Sequence, residues 1–149
     1  MWRLALPIDD ESIIQMCLEL NREDPGPRPV PREYTQNTLK QLRAESVRGR
    51  AVVLDLLGKV EGYALLMSFW SNEMGGEVCY IDELFVMPEK RGQGHGRTLI
   101  KTLLSPNNLW PHRPVAIELE VTPTNLRARE LYTALGFMPV KNSHMRIRF

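Results

Sequence analysis

Cysteine is scarce in this chain of 149 residues: Cys17 and Cys79 stand far apart, and the three histidines, His95, His112 and His144, are equally scattered. A disulfide framework or a metal centre needs ligands in short, repeated spacings, so neither is expected. No apolar run reaches the roughly 18 residues that a membrane-spanning helix requires, and no charged-then-apolar leader opens the chain. The expectation is a reduced, cytoplasmic, metal-free protein. Nineteen basic residues against eighteen acidic ones leave a net charge of +1, without the basic excess that would draw the chain to nucleic acid or a membrane surface. Two nucleotide signatures are also missing: no Gly-Lys-Ser/Thr closes a P-loop, and no Gly-x-Gly-x-x-Gly opens a dinucleotide-binding unit.

With 43% hydrophobic and 25% charged residues, the composition is that of an ordinary globular chain, and the length suits one domain over residues 1–149. Residues 3–8 read as a strand, and Asp9 or Asp10 can cap a helix with Ile13, Ile14, Cys17, Leu18 and Leu20 on its apolar stripe. Four prolines within residues 21–32 (Pro25, Pro27, Pro29 and Pro31) enforce a loop before a second helix over about 33–46. Residues 50–57 and 60–70 form a strand pair around Gly58-Lys59, followed by a strand over 78–87 and a helix over 94–104 that Ser105-Pro106 ends. The remainder alternates: a strand at 115–121, a helix at 124–135 closed by Gly136, and strand-like runs at 137–140 and 144–149.

The segment from Tyr80 to Arg97 carries the chemistry, because the strand-like Tyr80-Ile81-Asp82-Glu83-Leu84-Phe85-Val86 passes through Arg91-Gly92-Gln93-Gly94-His95-Gly96-Arg97 into a helix. Three alternate glycines let backbone N–H groups approach a ligand without Cβ interference, and the helix start adds its positive dipole end to Arg91 and Arg97. Such a turn suits an anion, most simply a pyrophosphate.

Arg91-Gly92-Gln93-Gly94-His95-Gly96 resembles the Gln/Arg-x-x-Gly-x-Gly/Ala acetyl-CoA signature of the GNAT superfamily of N-acetyltransferases. A second family element follows as Ile117-Glu118-Leu119-Glu120-Val121, Asn125, Ala128, Leu131-Tyr132 and Leu135-Gly136-Phe137. The likeness covers the last half of the chain by motif and the first half by element order. It implies an α+β (α/β/α) GNAT fold: a mixed, mostly antiparallel sheet flanked by helices and splayed at the acetyl-CoA site. It implies an acetyl-CoA-dependent N-acetyltransferase that works by direct attack within a ternary complex on the primary amine of a small molecule or amino-acid-like acceptor. The alternatives are a protein or peptide N-acetyltransferase and a non-catalytic acyl-CoA-binding module. A homodimer is compatible with either.

Residue by residue, the resemblance places the pantetheine arm along the main chain of Leu84, Phe85 and Val86, which would serve equally as core strand residues. It wraps the pyrophosphate with Arg91, Gly92, Gln93, Gly94, His95 and Gly96, and Arg97 is an extra cation. His95 departs from the usual aliphatic residue and reads as a surface position at the helix start. Asn125 and Tyr132, seven apart, share nearly one helix face. The family pattern gives Asn125 to the pantetheine and Tyr132 to the thioester sulfur as general acid; the alternatives are a helix-start role for Asn125 and core packing for Tyr132. An ammonium acceptor must lose a proton, and adjacent strand residues point to opposite faces, so one of Asp82 and Glu83 faces the acceptor. Glu83, with the longer reach, is preferred. Glu118 and Glu120 form a same-face pair that adds negative potential or braces the sheet. Residues 21–32 and 70–76 fall where the family builds its acceptor pocket, as substrate readers or as ordinary surface, and Trp70 fits pocket wall or core.

Overall fold

In the computed structural model, which describes residues 1–106 and 108–148, one five-stranded sheet is covered by helices on both faces. Strands β1 (Trp2–Leu4), β2 (Gly49–Leu56), β3 (Lys59–Ser71), β4 (Gly76–Val86) and β5 (Ala116–Leu119) lie side by side in chain order. All neighbours run antiparallel except β4 and β5, which are parallel and joined through α3 (His95–Leu103). Helices α1 (Asp10–Glu23) and α2 (Arg32–Ala44) cover one face; α3 covers the other, where α4 (Leu126–Ala134) leans Leu131 toward Gly96. The β2–β3 turn is Leu57-Gly58, one residue earlier than the sequence suggests. Both residues have positive φ (57° and 82°), as a two-residue hairpin with right-handed strand twist requires.

The two faces divide the core by the alternation of strand side chains. Ala64, Leu66, Cys79 and Ile81 join Leu99, Ile100 and Leu103 of α3; Tyr63, Leu65 and Phe85 join Ile13, Ile14, Cys17 and Leu39 of α1 and α2. Between Ile81 and Phe85 the phase of β4 changes. Leu66 pairs with Ile81 and Leu65 with Glu83, so Asp82 is an extra residue, a β-bulge. It turns Glu83 to the α1/α2 face with Phe85 and leaves Leu84 and Val86 on the α3 face.

The two last strands expected from sequence do not form among the described residues, and Phe149 lies outside them. Met138, Val140, Met145 and Ile147 stay solvent-exposed. Strand-favouring side chains make a strand only when a ladder partner takes their backbone groups, and Pro139 has no N–H to give. The helix of α1 runs to Glu23, so the proline-rich loop is confined to residues 24–31.

Arg3 ties β1 to its neighbours. Its guanidinium meets both oxygens of buried Asp9 at 2.7 and 3.0 Å and Asp55 at 2.9 Å, while Asp9 also accepts from the Leu6 N–H. The Arg3 hydrogen bond, above all, holds the Asp9 carboxyl below the usual carboxylate range. A depressed folded-state pKa contributes stability above the unfolded value near 4 and loses it as pH falls through the folded one. Asp9→Asn is therefore expected to cost about 2 kcal/mol in urea unfolding at pH 7, with the gap to the parent protein closing in acid.

Candidate active site

The sheet opens where the signature segment leaves it. β4 and β5 pair from Val78 with Ala116 to Ile81 with Leu119, and there the ladder stops. β5 ends, whereas β4 continues to Val86, so from Asp82 to Val86 the side of β4 away from β3 has no strand beside it among the described residues. The main-chain groups of Leu84 and the Val86 N–H thus face the gap, since Phe85, like Met87, turns its main-chain groups to β3 and Arg91 takes the Val86 carbonyl, and an extended amide-bearing chain fits such an edge by strand addition. Their side chains are simultaneously core: Phe85 is buried, and Leu84 and Val86 pack on the α3 face.

Beyond β4, the 3-10 turn Pro88–Lys90 and the glycine loop lead into α3. Gly92 and Gly94 have φ of 82° and 81°, a region where a Cβ is strained, and nothing would meet a Cβ at Gly94. Beside that open side, the first-turn N–H groups of α3 have no acceptor among the described residues, and main-chain donors at a helix start suit a phosphate group. Gly96 serves a different purpose. A Cβ there would press on Leu131 at 3.3 Å, so its bareness lets α3 approach α4.

The cations around the loop differ from those the sequence suggests. Arg91 donates from Nε to the Val86 carbonyl (2.7 Å) and from Nη2 to both Glu23 oxygens (2.9 Å each), with its guanidinium 5.0 Å above the Phe85 ring. A strand-end carbonyl and a carboxylate outcompete water for that fork, so Arg91 clasps the loop to α1. Arg97 is exposed in the first turn of α3, where a cation is unfavourable unless an anion joins it. Arg127 of α4, which the sequence reading missed, reaches within 3.1 Å of the Cβ position of Gly92. Gln93 donates to the Glu89 carbonyl at 3.2 Å. His95 corrects an expectation: it is half-buried, its carbonyl accepts from Trp2 Nε1 at 2.9 Å, and its Nε2 is enclosed without a partner among the described residues. The helix turn that frees the loop amides carries this ring inward.

Comparison with known proteins places the chain. Residues 14–137 match the Acetyltransferase (GNAT) family. The chain belongs to the GNAT acetyltransferase family. A possible acetyltransferase from Clostridium difficile 630 shares its fold with a TM-score of 0.80 at 19% identity, over 100% of this chain and 97% of that one. The ribosomal-protein-alanine N-acetyltransferase of Brucella melitensis biovar Abortus 2308 superposes with a TM-score of 0.73 at 18% identity, covering 100% and 99%. A transcriptional regulator from Bacillus halodurans C-125 gives 0.77 at 18%, again over 100% and 99%. GNAT proteins take acetyl-CoA as co-substrate. Among the described residues no helix is long and apolar enough to cross a membrane.

Around the GNAT splay the two carboxylates of β4 meet different surroundings. Glu83 is half-buried, and its Oε2 accepts from the Tyr63 hydroxyl at 2.7 Å, with Cys17 beside it. Burial raises its pKa above the ordinary carboxylate value, opposed by the Tyr63 hydrogen bond. Asp82 sits in the bulge with its side chain open to solvent on one flank. Crowding of its carboxyl, then the charge of Glu120, raises its pKa, and Arg146 opposes them. Tyr80 joins this second group and is pushed up to about 12, first by burial and then by Glu120. Glu120 also lies 3.8 Å from His144 Nδ1, while Glu118 pairs in register with Tyr80 and is half-buried.

Asn125 caps α4, its Oδ1 accepting from Ala128 N at 3.1 Å, which commits that oxygen to the helix start. Tyr132 lies two turns on, half-buried, with its ring 5.5 Å from that of Phe137. Burial raises its pKa, and its hydroxyl has no hydrogen-bond partner among the described residues. Trp70 at the β3–β4 tip is 72% exposed, so it is not core.

Proposed function

We propose that the chain is an acetyl-CoA-dependent N-acetyltransferase that acetylates a primary amine of a small or amino-acid-like acceptor by direct attack in a ternary complex. The observation that carries this reading is the free β4 edge from Asp82 to Val86, bordered at one end by the open glycine loop and at the other by Glu83 and Asp82. Bound acetyl-CoA supplies the thioester whose acyl group is transferred. In this reading Leu84 and Val86, with Phe85 between them turned to β3, hold the pantetheine arm and polarise the acyl carbonyl through a main-chain N–H. The loop residues Arg91, Gly92, Gln93, Gly94, His95 and Gly96 present main-chain donors to the diphosphate, with Arg97 and Arg127 as its cations. Asn125 contributes its free amide N–H₂.

Glu83 removes the ammonium proton, directly or through water, since its raised pKa brings it nearer the working pH than an ordinary carboxylate. Asp82 is its lesser partner. Tyr132 keeps its proton through that range and can give it to the leaving sulfur. A covalent cysteine route finds no support: burial pushes the thiol of Cys17 up and that of Cys79 up to about 12, so neither is a ready thiolate.

A peptide acceptor is the second reading. The groove between α2 and β3, a cavity of about 630 Å³ lined by Asn37, Thr38, Gln41, Leu42, Arg48, Met67 and Ser68, is open to solvent and rich in groups that bond amides. Thiol release from acetyl-CoA across amines, amino acids, polyamines, aminoglycosides and peptides tests both. A hit among small amines with none among peptides supports the first reading; a peptide-only response supports the second. No turnover with any acceptor, alongside measurable CoA binding, would favour a non-catalytic acyl-CoA-binding module.

A further inference from the structure

We propose that Tyr63 is the positioning residue of the proton acceptor: its hydroxyl, fixed in the core of the α1/α2 face, aims the Glu83 carboxylate and keeps it ionised. The inference rests on the reading of Glu83 as the base, but its structural half stands on geometry alone.

Tyr63 is fully buried, locked between β2 and β4 by pairing with Val53 and Phe85, and its ring centroid lies 6.2 Å from that of Phe85. A phenol so enclosed must place its O–H on an acceptor or lose the hydration it gave up. It donates to Glu83 Oε2 at 2.7 Å, the short distance typical of a hydroxyl on a carboxylate. Register explains why the two meet. Leu65 pairs with Glu83 and Tyr63 with Phe85, so Tyr63 and Glu83 are diagonal neighbours on one face. That holds only because Asp82 is bulged out: were Asp82 an ordinary residue of a regular pleat, Glu83 would follow Cys79 and Ile81 onto the α3 face. The bulge turns the carboxylate and the phenol fixes it.

The environment leaves Tyr63 one role. Burial and the adjacent Glu83 push its own pKa far up, so it is a donor only and takes no proton itself. The other titratable groups facing Glu83 are Cys17 from α1 and Asp82 from β4; α2 contributes the uncharged Thr35, whose hydroxyl donates to Cys17 Sγ at 3.2 Å. With burial and Asp82 both raising Glu83, the hydrogen bond from Tyr63 is the principal opposing influence.

Tyr63→Phe keeps the ring and removes the donor. Carboxyl ¹³C NMR titration of the free protein, with the Glu83 resonance assigned by its disappearance in Glu83→Gln, should show the Glu83 midpoint rising by roughly one to two pH units. The acid limb of kcat/KM should move up by the same amount, with turnover recovering at high pH and the KM for acetyl-CoA unchanged. An unmoved midpoint, or an acid limb that superposes on the parent's, overturns the proposal. If Glu83→Gln retains full turnover while Tyr63→Phe still moves the NMR midpoint, it is the assignment of Glu83 as the base that fails; the pairing then stands without a catalytic part.

Discussion

Glu83→Gln should lower turnover by about 10²- to 10⁴-fold near neutral pH, the range over which a positioned general base acts. An alkylamine with a pKa near 10 is almost wholly protonated there, so the variant must wait for the rare neutral acceptor. The pH dependence carries the sign. Burial holds the Glu83 pKa above the ordinary carboxylate value, so parent activity falls as pH drops through that raised value. The variant lacks that limb, and its deficit narrows as pH rises toward the amine's own pKa. Asp82→Asn should cost less, because the bulge sets Asp82 among Glu120 and Arg146, away from the Tyr63 hydroxyl that holds Glu83. A pH–rate series in which Asp82→Asn is the more damaging change would assign the base to the bulge residue.

What could be read from the sequence is what contiguous residues encode. The glycine loop, the helix periods of α1 to α4 and the β2–β3 hairpin depend on neighbours a few positions apart, and each lies within a few residues of its expected place. The Tyr63–Glu83 bond spans twenty positions and the Arg91–Glu23 clasp sixty-eight, and both depend on how strands and helices register. One inserted residue, Asp82, decides the facing of Glu83, and strict alternation along a strand has no symbol for a bulge. Arg127 was missed for the same reason, since its approach to Gly92 follows from the packing of α4 on the loop. The C-terminal runs show the converse. The runs expected at 137–140 and 144–149 have strand-like composition but form no ladder among the described residues, and propensity without a partner leaves Met145 and Ile147 in solvent.

Tyr132→Phe is the sharpest separation of chemistry from packing in this site. The hydroxyl has no hydrogen-bond partner among the described residues, so its removal breaks no bond in the free protein, and the ring contact with Phe137 survives. Melting temperature and CoA affinity should therefore stay near the parent values. Turnover should fall by about 10²-fold, a moderate loss because a CoA-type thiol, with a reference pKa near 8.5, departs without much help. Burial raises the Tyr132 pKa, so the group stays protonated across the working range and its loss should depress the whole plateau without shifting the acid limb set by Glu83. Full turnover in the variant would make Tyr132 a packing residue. A joint loss of melting temperature and CoA binding would make the hydroxyl structural, and the proton for the sulfur would then have to come from water admitted through the β4–β5 gap.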